Sequence, residues 1–225
     1  MKLKTRLMRP LRRALRQARI GRIDFNSGLG DSANLLYGLV RSMKPATCVE
    51  IGSARGKSAC YIGTALAENG RGRLYAIDPH RSTDWNDAES ADTLETLRTN
   101  VTALGLSDYV TIVRSTSAEA AQGWQMPIDL LFIDGDHSYE GVKCDWDLFV
   151  PYVQPFGIVV FHDTAWEIAE HRVQARADMG VPRFVDELRD SGYPVITIDR
   201  DYGVSLIQPT LGGRALRLQH APSRR

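Results

Sequence analysis

Short apolar runs alternate with amphipathic stretches along most of the chain. Runs at Thr47–Ile51, Leu74–Ile77, Val110–Val113, Ile128–Ile133, Ile158–Phe161, Val195–Ile198 and Val204–Ile207 predict seven strands. Helical spacing fills most of the gaps, at Lys57–Glu68, Ala91–Leu104, Ser117–Gly123, Tyr139–Val153 and Pro182–Ser191. A further helix is expected over Asp31–Met43, with Asp31 or Ser32 as its N-cap and Pro45 ending it. Strands alternating with helices imply a parallel sheet with right-handed crossovers and helices on both faces. Only Asp199–Gly203 separates the last two runs, so the seventh strand is expected to be antiparallel and to form a hairpin with the sixth. The expected fold class is α/β: one doubly wound, seven-stranded, mostly parallel sheet spanning residues 24–210.

The two ends read differently from this body. Residues 1–23 carry nine Lys/Arg and no acid, and Leu3, Leu7, Leu11 and Leu15 recur every four residues. That spacing predicts a basic amphipathic arm. No more than two residues separate successive basic ones, so no apolar core of a secretory signal exists there. The arm suits an anionic membrane surface, or packing on the body or on a second subunit of a homo-oligomer; both readings stay open. Residues 211–225 carry four Arg and no acid and are expected to form a flexible basic tail.

Composition narrows the class. Of 225 residues, 43% are hydrophobic and 24% charged, which places the chain among globular proteins with a core of their own. No stretch of 18 apolar residues exists to span a membrane. Cys48, Cys60 and Cys144 form no CxxC pair, and read as reduced thiols of a cytoplasmic protein rather than a disulfide framework or a zinc site. Net charge is +1, but with the basic ends set aside fifteen basic residues face all 27 acidic ones, a body of net −12. Polyanion binding needs clustered Lys/Arg, so a nucleic-acid partner is disfavoured.

In a doubly wound sheet, ligands bind beyond the carboxyl ends of the strands, where strand order reverses. The first strand ends in Glu50-Ile51-Gly52-Ser53-Ala54-Arg55-Gly56-Lys57-Ser58. Gly52 permits close approach to a ligand and Gly56 a turn into the next helix. Ala54 and Lys57 stand where a dinucleotide fingerprint needs glycine, and no Walker loop fits, which argues against a nicotinamide oxidoreductase. The second strand ends at Asp78, placed to accept a hydrogen bond from a ribose diol. The third leads into Ser115-Thr116-Ser117-Ala118-Glu119, small residues that cap a helix and could meet an adenine edge. Together these describe a nucleoside site without a pyrophosphate clamp.

The later strand ends read Ile133-Asp134-Gly135-Asp136-His137-Ser138-Tyr139-Glu140-Gly141-Val142 and Phe156-Gly157-Ile158-Val159-Val160-Phe161-His162-Asp163-Thr164. With them the chain resembles the class I S-adenosylmethionine-dependent methyltransferases, close to methyltransferase family 24, over about Asp31 to Ile207. Phe156 departs from that pattern, replacing the first of two glycines. The resemblance implies a Rossmann-like fold and S-adenosylmethionine as cofactor. It implies contacts to the methionine part from Glu50, Gly52, Ser53 and Ser58, to the ribose from Asp78, and to the adenine from Ser117 and Ala118, with Asp134 beside the cofactor. Family members use a sugar, a glycan or a related small molecule as acceptor; a phenol of catechol type is the alternative.

Asp134 and Asp163 are expected to end adjacent strands, and two converging carboxylates repel unless protonated or bridged by a cation. Oxygen ligands suit Mg²⁺ or another divalent cation. Metal-dependent relatives use an Asn after the second acid, and Thr164 is read at that place. The alternative is a metal-free site in which Asp163 orients His137 or His162. His137, among three acids at a strand end, is the candidate general base, with Asp134 as its catalytic partner. Segments 79–90, with Trp85, and 166–180 are expected to shape the acceptor pocket. Against these enzyme readings stands a scaffold that binds a nucleoside without catalysis. That reading predicts a broken site, yet Gly52, Asp78, Asp134 and His137 are all present.

Overall fold

The computed structural model describes residues 14–81, 93–165 and 178–209. Its strands are β1 (Thr47–Ile51), β2 (Arg73–Ile77), β3 (Val110–Val113), β4 (Ile128–Ile133), β5 (Val153–His162), β6 (Val195–Ile198) and β7 (Val204–Ile207). The helices are α1 (residues 14–20), α2 (Ala33–Met43), α3 (Lys57–Asn69), α4 (Thr93–Ala103), α5 (Ser117–Ala121), α6 (Tyr139–Phe149) and α7 (Val181–Asp190). The sheet order is β3-β2-β1-β4-β5-β7-β6. Strands β1 to β5 are mutually parallel, while β7 lies antiparallel between β5 and β6. The expected hairpin is present, and its second strand inserts beside β5 and leaves β6 at the edge.

Period-2 alternation explains why both faces are covered. On β4, Leu130 and Phe132 join one cluster with Leu36, Val40, Ile62, Leu66 and Leu97 of α2 to α4. Leu131 and Ile133 join the other, with Trp146, Phe149 and Phe184 of α6 and α7. All four of these strand residues are buried, and so Leu130–Ile133 reads in sequence as an unbroken apolar run.

Several boundaries differ from the sequence reading. A 3-10 turn, Gly30–Ser32, leads directly into α2, and neither Asp31 nor Ser32 caps it with a side chain. Helix α6 ends at Phe149 and passes through a 3-10 turn, Val150–Tyr152, into β5. That strand begins five residues before the expected Ile158. Its register against β4 jumps from Ile128–Val153 to Leu130–Ile158, so residues 154–157 bulge outward.

Of the basic arm, residues 14–23 are described and α1 lies on the body. Ile20 is buried. Arg16 and Arg19 donate to the carbonyls of Leu104 and Ala103, at 3.0 and 3.3 Å, and so satisfy the free carbonyl end of α4. Leu15 stays half exposed. Leu3, Leu7 and Leu11 lie outside the described residues, as does the tail from residue 210.

Candidate active site

The order of the sheet reverses between β1 and β4, and a cavity of about 580 Å³ opens at their carboxyl ends. The loop after β1 forms its floor. Gly52 has φ +86°, and a Cβ there would lie 2.0 Å from the carbonyl oxygen of Asp134, so only glycine lets these two loops meet. Asp78 follows β2 and fastens the same loop. One carboxylate oxygen accepts from the amides of Ser53 and Ala54, at 3.0 and 2.8 Å; the other accepts from the amide of His80 at 2.6 Å.

Gly52, Ser53, Ser58, Asp78, Ser117 and Asp134 all line the cavity. Glu50 and Ala118 are not among its lining residues. Glu50 is fully buried behind the loop, where its carboxyl faces the Ser58 hydroxyl. Burial, with the charges of Asp134 and Asp78, lifts its carboxyl to about 8 against the pull of the Ser58 hydroxyl. Thr116, not Ser117, caps α5, in a reciprocal capping box with Glu119. That frees Ser117 to face Asp145, a buried lining residue with no counterpart in the sequence reading. Burial raises the Asp145 carboxyl to about 6, the Ser117 hydroxyl drawing it down and Asp136 pushing it up. Asp136 itself accepts from the amide of Ser138 and so shapes the turn into α6.

The charged centre lies where β4 and β5 end side by side, with Ile133 paired to Phe161. Asp134, His162 and Asp163 bring one ligand atom each within 4.8 Å of one another. His162 therefore joins the expected carboxylate pair as a third member of the group. The Nε2 of His162 lies 2.8 Å from the backbone oxygen of Asp201 and donates to it, which leaves Nδ1 facing Asp134 at 3.1 Å and Asp163 at 3.3 Å. His137 lies above, with Nδ1 3.3 Å from Asp163 and Nε2 3.6 Å from Asp134. Burial disfavours charge on either imidazole, but the two carboxylates outweigh it, raising His137 and holding His162 well above the ordinary histidine range. Asp134 moves the opposite way: burial would raise it, yet the two imidazoles pull it to about 2. A cation set among two carboxylates and the Nδ1 lone pair would replace the protons these rings hold, and an O₂N donor set fits a divalent ion.

The wall opposite comes from residues 25–29 together with Met179 and Tyr202, and nothing in the sequence marked residues 25–29 or Tyr202. Of the loops expected to shape the acceptor pocket, Pro79, Arg81 and Met179 do line it. Residues 82–92, with Trp85, and 166–177 lie outside the described residues.

Comparison with known proteins agrees with this architecture. An uncharacterised protein of Sinorhizobium fredii, y4gI, is 32% identical over 139 residues, covering 59% of this chain but only 14% of that protein. An O-methyltransferase from Bacillus cereus in complex with SAH superposes with a TM-score of 0.60 at 14% identity, covering 80% of this chain and 81% of the other. The O-methyltransferase TomG from Streptomyces achromogenes, in complex with SAM, gives 0.59 at 18% identity over 79% and 78%. At that identity the two structures establish a shared fold. The Methyltransf_24 model, a methyltransferase domain, matches residues 49–164, more than half of the sequence, and the chain belongs to that family.

Proposed function

We propose that this chain is an S-adenosylmethionine-dependent O-methyltransferase acting on a hydroxyl of a sugar, a glycan or a related small molecule. Mg²⁺ or another divalent cation would be held by Asp134, His162 and Asp163. The observation that carries this reading is that the two-carboxylate, two-imidazole group and the Gly52–Asp78 nucleoside floor open into one cavity. When bound, the cofactor supplies a methyl group already activated by its sulfonium.

The protein's task is then placement and proton removal. Asp78 has lone pairs left for a ribose diol after holding the loop, and Gly52, Ser53 and Ser58 on the cavity wall would meet the methionine part, with Glu50 backing them from its buried position. Ser117 and Asp145, which line the cavity, would meet the adenine, with Ala118 beside them in the chain. Fixing the acceptor oxygen in line with the methyl contributes about 7–11 kcal/mol where geometry is good. His137 takes the acceptor's proton. The two carboxylates raise its pKa, and a cation among them would oppose that shift and make it a better base near neutrality. A hydroxyl on that cation would also be more acidic.

A phenolic acceptor is the second reading, favoured by the apolar surface that Phe25, Leu29, Met179 and Tyr202 add to the wall. Incubation with methyl-labelled cofactor and parallel panels of sugars, glycolipids and catechols, with and without chelator, tests both. Transfer to sugars that chelator abolishes supports the first reading, and transfer confined to catechols supports the second. Cofactor binding without transfer to any panel would leave the scaffold. Among the described residues no helix is long and apolar enough to cross a membrane. The basic arm is proposed to approach an anionic surface peripherally, which salt-dependent liposome binding that is lost on deleting residues 1–13 would support.

A further inference from the structure

The turn between β6 and β7 touches both halves of the site through one residue. Asp201 has φ +51°, and its backbone oxygen accepts the proton of His162 Nε2 at 2.8 Å. Its carboxylate reaches the other way. Oδ2 accepts from the amide of Ser32 at 2.9 Å and from the Ser32 hydroxyl at 3.1 Å, at the start of α2. Residues 25–29 line the cavity, and residues 30–32 join them to α2. Two glycines of this segment receive the turn. A Cβ on Gly30 would lie 2.2 Å from Asp201 Oδ1, and one on Gly28 would meet the ring of Tyr202 at 3.4 Å. The turn is also fixed to the end of β5, where the amide of Ala165 donates to the Tyr202 carbonyl at 2.8 Å. Arg200 pairs with Asp31 beside it.

From this geometry we infer that Asp201 is a positioning residue, which sets the ring of His162 and the seat of the 25–32 segment together. The cation centre and the acceptor-facing wall are thereby coupled. The inference rests on the proposed cation reading for its functional meaning, but its two contacts stand without it. A histidine ligand is oriented by whatever holds its second nitrogen, and loss of such a partner typically weakens metal binding about 10–100-fold. Here the partner is a backbone carbonyl, and what aims it is the carboxylate anchored on Ser32. In the bound state that carbonyl keeps the Nε2 proton in place and so presents the Nδ1 lone pair to the cation.

The test uses the full chain with Asp201→Gly, which removes the anchor while tolerating the positive φ, and Asp201→Asn, which keeps an accepting oxygen in a residue that also tolerates it. Three readouts are taken: Mn²⁺ affinity by calorimetry, amide exchange of residues 25–32, and exchange of the His162 Nε2 proton by NMR. Asp201→Gly should weaken Mn²⁺ binding 10–100-fold, speed exchange across residues 25–32 and expose the Nε2 proton to water. Affinity for S-adenosylhomocysteine should stay within about twofold. Asp201→Asn should recover most of each loss. Unchanged Mn²⁺ affinity and unchanged Nε2 exchange in Asp201→Gly would overturn the inference. So would an equal loss of S-adenosylhomocysteine binding, since that reports general damage. If the parent protein binds no Mn²⁺, the cation reading fails by itself, and the two exchange measurements still decide whether Asp201 positions the ring and the wall.

Discussion

Nδ1 of His162 lies 3.1 Å from Oδ1 of Asp134, while its Nε2 is already committed to a backbone carbonyl. Without a cation, that contact is favourable only if Nδ1 carries a proton, and the carboxylates keep the ring's pKa well above the ordinary histidine value although burial opposes them. A cation needs the lone pair instead. Binding must therefore release a proton, and apparent affinity should rise by about tenfold per pH unit until the raised pKa of His162 is passed. Calorimetric Mn²⁺ titration at pH 6, 7 and 8 checks this, and equal affinities would remove His162 from the ligand set.

Glu50 offers a pH dependence of the opposite sign in the cofactor-free protein. Its carboxyl ionises near 4.5 in an unfolded chain and at about 8 when buried in the fold. Between those values the folded state keeps a proton that the unfolded state loses. Stability from this group is therefore complete below pH 4.5, falls as pH rises toward 8, and levels above it. The slope is on the order of 1.4 kcal/mol per pH unit. Glu50→Gln should flatten the fall, so urea midpoints at pH 5 and pH 8 should lie closer together than in the parent. An unchanged gap would mean that Glu50 is ionised inside.

What the sequence made legible follows from how each feature is encoded. Strand β4 is plain because helices cover both its faces and every residue of Leu130–Ile133 is apolar. The start of β5 is hidden because residues 154–157 leave the ladder and follow no period. His162 and Asp163 stand next to each other in the chain, yet that both of them reach Asp134 depends on a β4–β5 register that no local pattern states. The capping box of α5 was readable as Thr116 with Glu119 three residues on, inside the run of small residues expected to cap that helix. Asp201 and Ser32 are 169 residues apart, and their contact has no sequence signal at all.

The bulge before β5 leaves a mark on stability. Phe156 stands there at φ +81° with 78% of its surface exposed, a conformation that glycine adopts without strain. A left-handed backbone costs an L-residue roughly 1–2 kcal/mol, partly offset here because glycine loses more entropy on folding. Phe156→Gly should therefore stabilise the protein by about 0.5–1 kcal/mol, or raise the melting temperature by roughly 1–4 °C. A lower melting temperature would show that the phenyl ring makes a contact worth more than the strain.

Asp78 has two duties that substitution separates. As an acceptor from three amides it holds the floor of the cavity, and the cofactor reading gives it the ribose as well. Asp78→Asn retains one oxygen for the loop but loses the charge, and a charged hydrogen bond is worth about 1.5–3 kcal/mol. Affinity for S-adenosylhomocysteine should fall about 10–100-fold in Asp78→Asn, with a modest drop in melting temperature because the NH₂ that replaces one oxygen cannot accept from the amides held there. Asp78→Ala should lose both affinity and stability. Full affinity in Asp78→Asn would confine Asp78 to the loop.

His137 is the most demanding case, because its environment works against the role assigned to it. Two carboxylates raise its pKa despite burial, so in the cation-free protein it holds its proton to higher pH than an ordinary histidine and is a poorer proton acceptor near neutrality. A divalent ion beside those carboxylates would oppose that field and lower the pKa. The rate of transfer should then climb with pH across roughly 6–8 when the ion is present, as expected when a neutral imidazole must accept the proton. Chelation should abolish turnover while leaving S-adenosylhomocysteine binding intact, since Gly52 and Asp78 contribute no ligand to the cation group. His137→Ala should lower the rate by about 10²–10⁴ without weakening Mn²⁺ binding, because the three proposed ligands remain. If His137→Ala turns over like the parent while chelation still abolishes activity, the cation alone acidifies the acceptor and the proton leaves through water.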